Sequence, residues 1–140
     1  MEGTTTQSAG PKVAWGRAGR GVDDRRALGA YGEQLAARYL LEHGLEVVER
    51  NWRCAHGEVD VVARDGDCMV FCEVKTRRSV RFGDPLEAVD WRKAARLRRL
   101  AAAWLREHDT RCARVRIDVI AILRPPVGPA VLRHVVGVGS

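Results

Sequence analysis

The sequence lacks long apolar runs. No stretch approaches the roughly 18 consecutive apolar residues of a membrane-spanning helix, and the N-terminus has no apolar segment of signal-peptide length. These absences argue against a membrane-spanning or exported chain. We therefore expect a soluble, cytoplasmic protein with no membrane partner.

The cysteines are too irregularly placed for a disulfide or zinc framework. The four are Cys54, Cys68, Cys72 and Cys112, and their spacing matches neither a CxxC pair nor a zinc-ribbon pattern. Cys68 and Cys72 lie in an apolar run, where a thiol behaves as a small hydrophobic side chain. The sequence therefore predicts free thiols in a reducing compartment.

The chain has an ordinary globular composition and a basic surplus. Its 140 residues are 46% apolar and 30% charged, which fits one compact domain without disulfides. The net charge of +6 favours a polyanionic partner. Residues 1–23 are rich in Gly, Thr and Ser and show no apolar period, which predicts a disordered basic leader. Residues 24–137 then make up the folded domain.

Helix and strand signals alternate along the domain. Gly44 is a typical helix stop, and Asp84-Pro85-Leu86-Glu87 opens a helix with a capping aspartate, a first-turn proline and a glutamate three residues after the cap. The predicted elements are a helix from Asp23 or Asp24 to about His43, strands Leu45–Trp52, Glu58–Arg64 and Cys68–Lys75, a helix from Asp84 to about His108, and strands Arg114–Leu123 and Ala130–Val136. The order αβββαββ predicts an α/β fold with a mixed five-stranded sheet flanked by helices.

Acidic side chains occupy strand positions in this pattern. Alternation puts Glu58 and Asp60 on one face of the second strand, and the turn that follows decides what pairs with Glu73 on the third. A Gly66-Asp67 turn places Asp60 opposite Glu73, whereas an Asp65-Gly66 turn places Glu58 there with Asp60 on the diagonal. Either register brings two or three acids together.

Such a cluster needs a cation or a shifted pKa, because buried ionised carboxylates repel one another. Lys75 offsets only part of the charge. A divalent metal would satisfy the remainder, since Mg²⁺ binds one or two carboxylates together with waters and phosphate oxygens; a salt-bridged sheet end is the alternative. Glu33 lies on the side of the first helix that carries small and apolar residues. It is either an incidental residue at the edge of that side or an acid that points into the cluster.

A basic stretch follows the acids along the chain. The candidate nucleic-acid-binding residues are Arg77, Arg78, Arg81, Arg92, Lys93, Arg96 and Arg99. A charge run is usually only a solvated helix face. Beside a phosphodiester site, it would instead bind backbone phosphates without reading base sequence.

Four segments of the chain, taken in order, resemble the YraN family of bacterial proteins. They are Gly32-Glu33, Gly57-Glu58-Val59-Asp60, Phe71-Cys72-Glu73-Val74-Lys75 and Arg116-Ile117-Asp118-Val119. The resemblance covers residues 28–136. The YraN family is similar in turn to archaeal Holliday-junction resolvases and belongs to the PD-(D/E)xK group, so the resemblance implies a restriction-endonuclease-like fold. Within the fourth segment, Asp118 is expected to be structural.

The resemblance also implies a nuclease site. Asp60, Glu73 and Glu33 would hold Mg²⁺ or Mn²⁺, and Lys75 would orient or activate the attacking water, so these four residues form the candidate catalytic set. Glu58 is either an outer partner of the metal or a solvated strand end.

The activity implied by this resemblance is metal-dependent hydrolysis of phosphodiester bonds in DNA, with branched or repair intermediates as substrates. Junction resolution would need two sites and hence a homodimer. Two alternatives remain open at this point. One is a non-catalytic nucleic-acid-binding module that keeps the fold and the basic face, and the other is an interaction scaffold whose arginines do not touch DNA.

Overall fold

The computed structural model describes residues 2–8, 22–79 and 91–138. Its elements are β1 Glu2–Ser8, α1 Val22–Glu42, β2 Glu46–Cys54, β3 Gly57–Asp65, β4 Cys68–Arg77, α2 Trp91–Glu107, β5 Arg114–Leu123 and β6 Ala130–Val136. From α1 onward the order is the predicted αβββαββ. The predicted start of the second helix at Asp84 lies outside the described residues.

The strands form one mixed sheet in the order β1-β6-β5-β4-β3-β2. β4 and β5 are parallel, and the other neighbouring strands are antiparallel. A parallel pair needs a crossover connection, and α2 lies on the segment that joins β4 to β5. The predicted mixed sheet of five strands is thus confirmed, with a further strand at one edge.

That further strand departs from the sequence expectation of a disordered leader over residues 1–23. Residues 2–8 form β1, which pairs with β6 along its whole length. Two physical reasons favour this pairing. Residues 4–6 are three consecutive threonines, whose β-branched side chains favour extended backbone, and β6 would otherwise present an unpaired edge. Residues 9–21 of the predicted leader lie outside the described residues, and the domain boundary stays a prediction.

The first helix ends as the sequence predicts. Gly44 has a φ of 85°, in the left-handed region that glycine adopts without strain. The Leu45 N–H donates to the Leu40 carbonyl at 3.0 Å, and the Gly44 N–H donates to the Leu41 carbonyl at 3.1 Å. These are the two hydrogen bonds of a Schellman motif, which satisfies carbonyls at the helix end and directs the chain into β2.

The two helices cover different faces of the sheet. The α1 face contains Tyr31, Leu35, Ala36, Tyr39, Leu40, Val61, Ala63, Cys68, Val70, Cys72, Ile120, Ile122 and Leu132. The α2 face contains Trp52, Val59, Val62, Met69, Phe71, Leu97, Leu100, Ala101, Trp104 and Ile117. Alternate residues of β4 face opposite helices, so this strand is covered on both sides.

The sequence predicted neither a membrane-spanning helix nor a disulfide. Neither of the two described helices is both long and apolar enough to cross a membrane. All four cysteines are free thiols, as predicted, and Cys68 and Cys72 are buried on the α1 face.

Helix α1 lies directly against β4 at Gly32. A Cβ built on this glycine would lie 1.8 Å from Thr76 Oγ1 and 2.9 Å from Thr76 Cβ. No side chain larger than hydrogen fits there unless α1 or Thr76 moves. The contact therefore sets the distance between α1 and the sheet at the residue that precedes Glu33.

We expect Gly32→Ala to destabilise the protein by about 1–3 kcal/mol, because overpacking forces backbone or rotamer shifts. The free energy of unfolding from urea titration measures this change. Adding Thr76→Ala, which removes Oγ1, should recover part of the loss.

Gly29→Ala in the same helix is the matched control. A Cβ at Gly29 meets nothing within 4 Å, so the better helix propensity of alanine should stabilise the protein by up to about 1 kcal/mol. Equal effects of the two alanine substitutions would contradict a close approach at Gly32.

Candidate metal centre

The β3–β4 hairpin adopts the first of the two registers left open by the sequence. Asp65 pairs with Cys68, so the turn is Gly66-Asp67. The paired region ends where Val61 lies opposite Cys72. Asp60 and Glu73 are the next residues beyond that last pair, at the point where the two strands leave their ladder.

Strict alternation fails in β3 at Asp60. Val59 and Val62 both pack on the α2 face, whereas Val61 packs on the α1 face. In the neighbouring strand, Arg50 pairs with Val61 and Trp52 pairs with Val59. In both strands, the side chains switch from one face of the sheet to the other at the same pair of residues, Asn51 in β2 and Asp60 in β3.

Asn51 explains the change of face in β2. Its φ is 55°, a left-handed conformation that asparagine tolerates better than most residues other than glycine. Its side chain also forms a hydrogen bond with Glu33 of α1. One residue thus twists the strand and holds an acid on the neighbouring helix.

Three carboxylates converge at this level: Glu33 from α1, and Glu58 and Asp60 from β3. One oxygen from each lies within 4.8 Å of the others. Asp60 is held in place because its Oδ2 accepts a hydrogen bond from the Val74 backbone N–H at 2.7 Å. We call Glu33, Glu58 and Asp60 the acidic cluster.

Burial and the neighbouring negative charges raise the pKa of two carboxylates in the cluster. Burial raises the pKa of Asp60 from 3.8 to about 7; the Val74 hydrogen bond opposes the rise, and the charges of Glu33, Glu58 and Glu73 add to it. Burial likewise raises the pKa of Glu33, against the hydrogen bond from Asn51 and the nearby Arg50 and Arg53. The folded protein therefore holds protons here that an exposed carboxylate would release.

Glu73 and Lys75 lie beside this cluster rather than within it. The Lys75 ammonium is 3.3 Å from Glu73 Oε1, whereas Glu73 Oε2 is buried and has no hydrogen-bond partner among the described residues. Glu73 is not one of the three carboxylates that converge within 4.8 Å, although its charge reaches Asp60. The structure therefore brings Glu33 and Asp60 together, adds Glu58, and leaves Glu73 paired with Lys75.

Sequence reasoning missed three of the residues around the cluster. Asn51, Arg50 and Arg53 all belong to β2, and Arg53 Nε lies 3.6 Å from Glu58. A polar residue such as asparagine or arginine does not stand out in an alternating strand pattern, so the sequence did not identify these three as site residues. Glu58 was predicted on the same face as Asp60, with two hairpin registers left open, and it lies with Asp60 in the acidic cluster. The change of face at Asn51 was not predicted.

The donor set of the acidic cluster suits a hard divalent cation. Oxygen ligands favour Mg²⁺, Mn²⁺ or Ca²⁺, and Mg²⁺ binds one or two carboxylates together with waters. The three carboxylate oxygens, all within 4.8 Å of one another, are close enough for two or three of them to share one cation after side-chain adjustment. The partnerless Glu73 Oε2 is a further acceptor beside it.

Asp118 has the structural role that the sequence suggested. It is fully buried and accepts hydrogen bonds from Arg116 at 2.9 and 3.0 Å and from the Gly137 N–H at 3.1 Å. Its Oδ2 also lies 2.7 Å from Nε2 of His134, whose Nδ1 contacts the Tyr39 hydroxyl. Burial would raise the pKa of Asp118, but its contacts with His134, Arg116 and Gly137 together lower it. The network ties β5 and β6 to α1.

The predicted basic residues lie at two places. Arg77 and Arg78 are exposed at the end of β4, and Arg92, Arg96 and Arg99 are exposed on α2 with Lys93 half-buried. Arg81 lies outside the described residues.

The raised pKa of Asp60 predicts a pH-dependent stability. Between about pH 4 and pH 7 the folded metal-free protein retains a proton that the unfolded chain loses, so its stability falls as pH rises through this window. Asp60→Asn removes that loss. We expect the stability advantage of Asp60→Asn over wild type to grow by roughly 2 kcal/mol from pH 5 to pH 8 in EDTA, as measured by urea titration.

Asp67→Asn is the control, because the Asp67 side chain is 66% exposed at the hairpin turn. It should show no comparable change with pH. An Asp60→Asn effect that is constant or decreases with pH would mean that Asp60 is ionised throughout the range.

Comparisons with known proteins place these residues in a family. Residues 32–122 match the model of the Uncharacterised protein family UPF0102. UPF0102 proteins of Beutenbergia cavernae and Kineococcus radiotolerans are 62% and 58% identical over 113 and 118 residues. The alignments cover 81% and 84% of this chain and 96% and 97% of those proteins. A UPF0102 protein of Streptomyces griseus is 57% identical over 118 residues, which is 84% of this chain and 99% of that protein.

The matched region contains the acidic cluster, Asn51, Glu73 and Lys75. The family match spans more than half of the chain, and the identities are high over nearly the full length of the relatives. The resemblance to the YraN family is confirmed: the chain belongs to family UPF0102.

Proposed function

We propose that this protein is a metal-dependent endonuclease that hydrolyses phosphodiester bonds in DNA, with branched or repair intermediates as its substrates. The observation that carries the proposal is the convergence of Glu33, Glu58 and Asp60 within 4.8 Å, beside the Glu73–Lys75 pair. Four free thiols support a reducing, cytoplasmic location.

The cluster would hold the metal, Mg²⁺ or Mn²⁺, through Asp60 together with Glu33 and Glu58. When bound, the metal supplies Lewis-acid polarisation of a phosphate and a lowered pKa for a coordinated water. A doubly charged cation would also stabilise the ionised form of Asp60, whose pKa burial and the neighbouring acids raise to about 7. These carboxylates therefore fit the group that the resemblance implies.

The chain's own residues would position the reactants. The Val74 N–H fixes the orientation of Asp60, and the Asn51 amide fixes that of Glu33. Lys75, held 3.3 Å from Glu73, can donate a hydrogen bond to an attacking water or to a phosphate oxygen. Arg53 beside Glu58 can bind a neighbouring phosphate.

One observation favours a second candidate, a non-catalytic nucleic-acid-binding module. Glu73 is engaged by Lys75 and is not among the converging carboxylates, so the acid and the lysine could serve as a structural ion pair. A pure binder gains nothing from acids near a phosphate. Its DNA affinity should rise when Asp60 is neutralised, whereas an enzyme should lose cleavage and keep binding.

We expect Asn51→Gly to weaken Mn²⁺ binding roughly tenfold or more, because the residues that orient metal ligands typically contribute 10–100-fold to affinity. Glycine accepts the φ of 55° without strain, so the substitution isolates the hydrogen bond to Glu33. Isothermal titration calorimetry measures the affinity.

Asp109→Gly is the matched control, since Asp109 is the other described non-glycine residue with a positive φ, at 46°. It should leave Mn²⁺ affinity unchanged. If the two variants bind Mn²⁺ as wild type does, Asn51 has no part in orienting a ligand.

We expect wild-type protein to cleave at least one member of a panel of single-stranded, duplex, flapped and four-way DNAs in Mg²⁺ or Mn²⁺. Asp60→Asn and Lys75→Ala should each lower the rate by two to four orders of magnitude, because each removes a group that acts on the reacting atoms. Gel analysis of end-labelled substrates measures cleavage, and Asp67→Asn should retain it.

Three results separate the candidates. Cleavage that survives both substitutions would indicate a contaminating nuclease. Tight DNA binding without cleavage, made tighter by Asp60→Asn, would establish the binding module. Absence of both binding and cleavage would contradict both.

A further inference from the structure

A shallow groove lies between the tip of the β2–β3 hairpin and the outward side of α2. It has a volume of about 250 Å³ and is lined by His56, Arg99, Ala102, Ala103 and Arg106. His56 belongs to the Ala55-His56 turn that joins β2 to β3. The four α2 residues recur at three- and four-residue spacing and so occupy one side of the helix.

The charge of this groove is positive and is not offset locally. No carboxylate of the described residues lines it, and α2 carries six basic residues against the single acid Glu107. Among the described residues, the exposed Arg99 and Arg106 form no ion pair or hydrogen bond. The surface of the lining is mostly apolar, so the charge that an anionic ligand meets there is that of Arg99 and Arg106.

The shape of the groove favours a polymer over a small molecule. Sites that enclose free ligands usually measure about 300–1,000 Å³, whereas this groove is smaller and open, with the alanines Ala102 and Ala103 in its lining. Seven residues separate Arg99 from Arg106, or about 10 Å along the helix. Each strand of B-form DNA carries a phosphate about every 3.4 Å of its axis, so the two arginines span roughly three phosphates.

The hairpin tip connects the groove with the acidic cluster. Glu58 follows His56 by two residues and belongs to the cluster on the α1 face. The groove lies against α2, on the other face of the same hairpin. A chain lying in the groove and continuing past the tip would reach the carboxylates.

We propose that the groove of His56, Arg99, Ala102, Ala103 and Arg106 binds the phosphodiester backbone of a DNA strand that passes the hairpin tip to the acidic cluster. The inference rests on the proposed function, because it takes the same nucleic acid as ligand. Contacts of this kind bind phosphates and do not read sequence. The arginines neutralise the backbone, and the alanines leave room for it to approach the helix.

Fluorescence anisotropy in EDTA tests the groove, with a labelled 20-nucleotide single strand and the matching duplex over a range of salt concentrations. We expect Arg99→Ala/Arg106→Ala to lower affinity at least tenfold and to reduce the slope of log affinity against log salt by about 1.5, since each lost phosphate contact removes 0.7–0.9. Ala102→Glu, at an exposed position, should also weaken binding through charge repulsion.

The control is Arg26→Ala/Arg38→Ala, which removes the same charge from exposed positions on α1 and should change affinity less than twofold. If the groove variants bind as the control does, the groove is not a DNA site, even when wild type binds and cleaves DNA. If wild type binds neither DNA, both the groove and the proposed function fail. Should the double variant unfold, unchanged binding by Ala102→Glu would by itself overturn the groove.

Discussion

Repulsion among three carboxylates is the constraint on which the rest of this site depends. Glu33, Glu58 and Asp60 are brought within 4.8 Å although the charges of Glu33 and Glu58 disfavour ionisation of Asp60. A fold that only minimised its own free energy would separate them. The surrounding structure instead holds them together through the Gly32–Thr76 contact, the Val74 N–H and the left-handed Asn51. Strain and charge concentrated at one place are typical of a functional site.

The second buried carboxylate system shows what a purely structural acid looks like in the same protein. Asp118 is surrounded by Arg116, His134 and the Gly137 N–H, and these contacts lower its pKa despite burial. Asp60 is also largely removed from water, yet it has one backbone donor and three acidic neighbours, which leave its pKa raised. The contrast separates a buried carboxylate whose charge is matched by its neighbours from one whose charge is not.

Much of the fold follows from local patterns, and the site follows from them only in part. Gly44 predicts the end of α1, and the alternation of helix and strand signals predicts the order of the elements from α1 to β6. Alternation fails at Asp60, opposite the left-handed Asn51, whose side chain contacts Glu33 of a helix distant in sequence. The sequence placed Glu58 and Asp60 on one face with Glu73 nearby, but it did not decide between a metal site and a salt-bridged sheet end for Glu73 and Lys75. The pairing of residues 2–8 with β6 depends on a free strand edge, which is a property of the assembled sheet.

The most direct measurement of the central claim is an anomalous difference map from a crystal of the wild-type protein soaked in Mn²⁺. Our account predicts a single strong peak within coordination distance, about 2–2.5 Å, of oxygens from Asp60 and at least one of Glu33 and Glu58. A map with no peak there, or with Mn²⁺ only at exposed acids such as Asp65 and Asp67, would contradict a metal centre in this cluster.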